Sequence, residues 1–106
     1  MLDFSRYDRC VVIDFRKKIC LKDSKSADAF LFPYLLKSKE MTVIGNFEEL
    51  DNIDHIGFNF LYKLRWVVKI TGGNLSLINV PTNLKKDISK LRIKINKDFD
   101  MKEKVI

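Results

Sequence analysis

Four carboxylates, Glu48, Glu49, Asp51 and Asp54, crowd into one short stretch that ends at the chain's only histidine, His55. Hard cations take carboxylate oxygens, so this stretch has the residue types for a divalent metal. Its spacing fits no metal-binding loop, and an exposed acidic turn is the simpler reading. Cys10 and Cys20 lack C-x-x-C spacing, and His55 alone is too little to complete a structural zinc site with them. They read as two small buried hydrophobes. Phosphate-cradling G-x-x-x-x-G-K-[ST], dinucleotide G-x-G-x-x-G, nucleophile-elbow G-x-S-x-G and zinc H-E-x-x-H patterns are all missing. Only Asp, Glu or Lys would be left to move protons. The reading is therefore a non-enzyme with no catalytic residue, cofactor or metal.

Binding is the better-supported class. The chain has 106 residues, 46% of them hydrophobic and 32% charged, which suits one folded domain, 1–106, with a frayed tail over 98–106. No apolar run approaches the roughly 20 residues needed to cross a bilayer, and the first residues carry charges of both signs. A cytoplasmic protein without membrane insertion is expected. The net charge is +6, and it is unevenly placed: residues 1–54 hold 9 basic and 10 acidic side chains, residues 55–106 hold 11 and 4. Lys85, Lys86, Lys90, Arg92, Lys94 and Lys97 carry most of the excess, and such a patch attracts phosphates or acidic proteins.

The elements that must position these residues follow from periodicity. Leu2, Phe4 and Arg6 alternate with polar neighbours, and after Asp8-Arg9 comes Cys10-Val11-Val12-Ile13-Asp14-Phe15, apolar from Cys10 to Ile13, so a hairpin of two strands is predicted. Asp23 to Ser26 offers N-cap residues to a helix carrying Ala27, Phe30, Leu31, Leu35 and Leu36, which Pro33 should kink or split. A strand is expected from Met41 to Phe47, with Gly45-Asn46 leading out. From Ile56 to Thr71, Gly57, Phe60, Leu61, Leu64, Val67 and Val68 recur at helical spacing. Gly72-Gly73 ends that helix and a strand from Leu75 to Val80 follows. Pro81 opens a last helix with Leu84, Ile88 and Leu91 buried, before a short strand at Ile93 and Ile95. Phe99 is placed against the core. Strands alternating with helices after a hairpin argue an α/β fold with a mixed, mostly parallel sheet.

The segment Asn46-Phe47-Glu48-Glu49-Leu50-Asp51-Asn52-Ile53-Asp54-His55-Ile56-Gly57-Phe58, with the helix after it and Gly72-Gly73 opening the next strand, resembles the STAS domain, the family of bacterial anti-sigma factor antagonists. In that family a strand ends in Asp-Leu, a turn of fixed length leads to Ile-Asp-Ser-[Ser/Thr]-Gly-Leu, and a helix follows. Ile53-Asp54, Gly57 and Phe58 stand at matching places, and Asn46 to Asp54 spans the distance between the family's two aspartates. The resemblance extends over nearly the whole chain and implies a single STAS-like domain with its helices packed on one side of the sheet. Three departures bear on function. His55 replaces the phosphorylatable serine, Ile56 replaces the next Ser/Thr, and Asn46 replaces the strand-end aspartate. Phosphorylation would add about −2 charge at this helix start, so the usual serine switch is missing. Asp54 reads as the helix N-cap, and His55 as an imidazole offering a hydrogen bond.

The helix carries a second signal independent of family. At about 100° per residue, Phe58, Tyr62 and Trp66 form a stripe opposite the core face, with Arg65 and Lys69 among them. Aromatics and Arg are enriched in binding hot spots, although neighbouring helices of the same domain could cover Phe58 and Tyr62. The expected contact surface is Asp54, His55, Ile56, Gly57, Phe58, Tyr62, Arg65, Trp66 and Lys69. Two partners fit the resemblance: a kinase-like anti-sigma factor, in transcription regulation, or the ATPase of a bacterial ABC-type phospholipid transport system, of which the chain would be the STAS subunit. A homodimer through the stripe is a third option. A small basic nucleic-acid-binding domain is the alternative of another class, disfavoured because no aromatic is interleaved with the lysines.

Overall fold

The computed structural model describes residues 2–96. Strands β1 (Leu2–Tyr7) and β2 (Cys10–Lys17) form the antiparallel hairpin, with Leu2 opposite Phe15 and Tyr7 opposite Cys10. Strands β3 (Thr42–Leu50), β4 (Asn74–Ile78) and β5 (Lys94–Asn96) then add in parallel, giving the spatial order β1-β2-β3-β4-β5. Spatial order equals chain order. Parallel neighbours require a crossover, supplied by helices α1 (Leu21–Ser26) and α2 (Phe32–Ser38), then α3 (His55–Ile70), then α4 (Thr82–Ser89).

The core lies between the sheet and these helices. Val11, Ile13, Phe15, Val43, Phe47 and Leu77 from the sheet meet Ala27, Leu31, Leu35, Phe60, Leu61, Leu64, Leu84 and Ile88 from the helices in one cluster. Phe15 takes Phe47 and Phe60 edge-on at ring separations of 5.2 and 5.7 Å, a geometry that sets a ring edge against a ring face. On the sheet's other face Val12, Ile44 and Ile78 form a small separate cluster to which no described helix contributes. The mixed sheet with its helices on one side is the expected architecture.

Several local expectations are corrected. The first helix starts at Leu21, not after the Asp23 to Ser26 cluster, and Cys20 precedes it in extended conformation. The Cys20 N–H and thiol both donate to the Asp23 carboxylate, at 2.9 and 3.2 Å, so Asp23 works from inside the first turn. Cys20 is exposed and Cys10 half-buried; neither is the fully buried hydrophobe expected, and burial still pushes the Cys10 thiol pKa up. Pro33 is the second residue of α2, directly after a π-helical turn over Ala27–Leu31 that joins α1 to α2 with no non-helical residue between them. With that wider turn Ala27, Leu31, Phe32 and Leu35 face the core, while Phe30 and Leu36 are exposed.

Strand β3 continues past Gly45-Asn46 to Leu50, because Phe47 and Leu50 still point into the core. Leu91 is half-buried rather than buried. After α3, Gly72 adopts φ +77°, the left-handed geometry that ends helices at glycine. Gly73 is needed for a different reason: a Cβ there would lie 2.3 Å from the Met41 carbonyl oxygen. The expectation that Phe99 packs inward and that 98–106 frays falls outside the described residues.

Candidate functional site

The carboxyl ends of β2, β3 and β4 and the start of α3 bring the sequence's chemical candidates to one end of the sheet. Asp54 caps α3: its Oδ1 accepts from the N–H groups of Ile56 and Gly57 at 3.0 and 3.2 Å. Its Oδ2 pairs with Lys18 Nζ at 3.0 Å. The hydrogen bond from Lys18 first, and the Gly57 and Ile56 N–H groups with it, hold the Asp54 carboxyl below the ordinary range. Lys18 precedes α1, and nothing local in the sequence ties it to Asp54 on another crossover.

His55 is the first residue of α3 and its side chain is exposed. Ile56 and Phe58 are half-buried, and Gly57 is buried. A Cβ on Gly57 would stand 2.9 Å from Ile53 Cγ2 and 3.6 Å from Ile19, so the helix start packs onto those two isoleucines only because glycine is there.

Asn46 explains itself through its partners. Its Nδ2 donates to Asp14 Oδ1 at 2.9 Å, while its Oδ1 accepts from Asn79 Nδ2 at 2.9 Å and from the Glu48 N–H at 3.1 Å. An ionised aspartate at this place could accept but not donate. It would set a second carboxylate against Asp14. The amide instead links β2, β3 and the residue after β4, where Asn79 takes φ 56°, a left-handed conformation that asparagine tolerates.

The acidic stretch does not gather around a metal. Glu48 and Glu49 lie on exposed positions of β3, Glu49 pairs with Arg16 at 3.2 Å, and Asp54 is taken by Lys18. Among the described residues no three His, Cys, Asp or Glu side chains converge as metal ligands would.

Along α3 the two faces are sharply distinct. Gly57, Phe60, Leu61, Leu64, Val67 and Val68 are all buried, as their spacing predicts. Tyr62 and Trp66 are 61% and 55% exposed, and Ile70 extends their row by one more turn. Phe58 departs from the row: it is half-buried and packs against the core. Lys69 is exposed and Arg65 half-buried beside Trp66. On the same helix Lys63 pairs with Asp28 and lies 5.3 Å from the Phe32 ring centroid, tying α3 to the first crossover. No described helix is long and apolar enough to cross a membrane.

Among solved structures, the anti-sigma factor antagonist SpoIIAA in its unphosphorylated form superposes with a TM-score of 0.83 over 99% of this chain and 94% of its own, at 18% identity. The chain has the SpoIIAA fold. The Bacillus cell fate determinant SpoIIAA in its phosphorylated form gives 0.81 at 18% identity, over 99% of this chain and 96% of its own. A putative anti-sigma factor antagonist from Thermotoga maritima gives 0.69 at 13%, over 98% and 91%. No family model matches the sequence, and no curated protein matches it. The SpoIIAA fold accounts for the hairpin, the parallel strands and the one-sided helices in the order that the STAS resemblance implied.

Proposed function

We propose that the protein is a non-enzymatic regulatory module that works by binding another protein, of the anti-sigma factor antagonist kind, without a serine switch. The observation that carries this reading is the α3 face on which Tyr62 and Trp66 stay more than half exposed while the opposite face is wholly buried. Large aromatics left in water on a rigid helix bury much area at little rotamer cost when a partner arrives. The likeness to SpoIIAA over 99% of the chain supports placing that partner among anti-sigma factors. The contact surface comprises Asp54, His55, Ile56 and Gly57 at the helix start, with Phe58 at its margin, and Tyr62, Arg65, Trp66 and Lys69 along the helix. With His55 where the family has its serine, binding is constitutive toward serine kinases. The setting is the bacterial cytoplasm.

Affinity capture from the native cell lysate, comparing wild type with Tyr62→Ala/Trp66→Ala, tests the proposal. An anti-sigma factor retained by wild type and weakened by about 2 kcal/mol or more in the variant is the expected result. Retention of an ABC-type ATPase would move the protein to the phospholipid transport setting. Nucleic acid alone, released by moderate salt and indifferent to the variant, would overturn the interaction reading. Sedimentation of the purified protein separates a homodimer from these.

A further inference from the structure

Side chains alternate between the two faces of a strand, and the register sets Val12 opposite Ile44, Ile44 opposite Ser76 and Asn46 opposite Ile78 on the face turned away from the helices. On a sheet face open to water the outer methyl groups of such residues stay accessible. Here Val12, Ile44 and Ile78 are only 3%, 8% and 0% exposed. Their neighbours across the strands do not supply that cover. Ser5 and Ser76 flank the pair of Val12 and Ile44, and serine is shorter than the side chains beside it. Asn46, next to Ile78, turns its amide to Asp14 and Asn79. Among the described residues Cys10 is the one partly buried hydrophobic packed on the cluster. Three apolar side chains kept from water therefore call for a covering element beyond the five strands and the helices on their other face.

We infer that residues 97–106 are that element and cross this face from β5 toward β2, laying Phe99, Met101 and Val105 on Ile78, Ile44 and Val12. Position, reach and composition all favour this occupant. The described residues end at Asn96, which the register sets directly beside Ile78, so the segment sets out from the border of the cluster. From β5 to β2 is three strand spacings, about 14 Å, and ten extended residues reach about 33 Å. In the sequence Asp98, Asp100, Lys102 and Lys104 alternate with Phe99, Met101, Glu103 and Val105. That period of two, charged on one side and apolar on the other except for Glu103, suits a stretch with an apolar surface below it and water above. At about 100° per residue a helix would turn Phe99 and Met101 to opposite sides and seat only one of them. The segment thereby keeps an apolar sheet face out of water on the side opposite the proposed partner surface of α3.

Nuclear Overhauser contacts in the isotope-labelled full chain test the inference without altering it. The Phe99 ring protons should show contacts to the methyl groups of Ile78 or Ile44 within one molecule. Their absence, or contacts of Phe99 to the helix-side core at Ile88 instead, would overturn it. So would contacts seen only between chains in a mixture of labelled and unlabelled protein, which would give the face to a second copy. Cys10 supplies a second readout, because its thiol is half-buried on this face while Cys20 is exposed. In the full-length variant Phe99→Asp/Met101→Asp, maleimide labelling of Cys10, resolved from Cys20 by peptide mass mapping, should quicken about tenfold or more as the thiol is uncovered. Cys20 should keep its rate. An unchanged Cys10 rate would sink the inference. Where circular dichroism shows that the double variant has lost its fold, Phe99→Ala is read in the same way.

Discussion

Asp54 and Asn46 show how single atoms at the carboxyl end of the sheet set measurable properties. Because Lys18 and two backbone N–H groups stabilise the ionised Asp54, its folded pKa lies below its unfolded one. Its contribution to stability is present above the unfolded value, about 3.9, and is lost as pH falls through the folded value. Asparagine also caps helices, so Asp54→Asn removes the charge and keeps the cap. The melting temperature of wild type should exceed that of Asp54→Asn at neutral pH, and the gap should close on acidification below pH about 4; a constant gap would assign the difference to geometry. Asn46→Asp should act in the opposite sense. Two carboxylates meeting at the Asp14 contact raise a folded pKa, so the variant should be destabilised at pH 7 and recover as the pH is lowered. The cap was legible in the sequence because Asp before a periodic run is a local signal. The Asp14-Asn46-Asn79 chain was not, since its members stand 32 and 33 residues apart and only strand pairing brings them together.

At the scale of elements, α3 was readable almost whole. Its six buried residues repeat at three and four, and the structure begins it one residue earlier and ends it one residue earlier than the Ile56 to Thr71 expected. Leu61 is fully buried, so Leu61→Ala should cost about 2–5 kcal/mol in denaturant unfolding. Tyr62→Ala/Trp66→Ala should leave the same midpoint nearly unchanged, because both rings face solvent. Loss of the fold in that double variant would mean the stripe is structural. The first crossover was less readable. Cys20 is not a residue type that announces a helix start, and a π-helical turn leaves no periodic mark in five residues. The exposure of Phe30 and Leu36 followed from that unreadable turn, as did the burial of Phe32.

For the whole molecule, alternation after a hairpin implied a mixed, mostly parallel sheet and the pairing bears that out, while the order of its strands and the division of its two faces needed the structure. The cluster of Val12, Ile44 and Ile78 lies apart from the main core, something a strand apolar on both faces does not disclose by itself. The hairpin and the β2–β3 ladder carry the longest pairings, and β5 adds three residues at the border. Native-state hydrogen exchange should therefore find the β5 amides opening first and those of central β2 and β3 near the global limit; uniform protection across the sheet would contradict this. A strand order that repeats chain order has a further consequence during synthesis. Each strand leaving the ribosome finds its neighbour already made, and none has to be inserted between two that have paired. The sheet can lengthen at one border as translation proceeds, with each helix closing over the strand just added before the next is available.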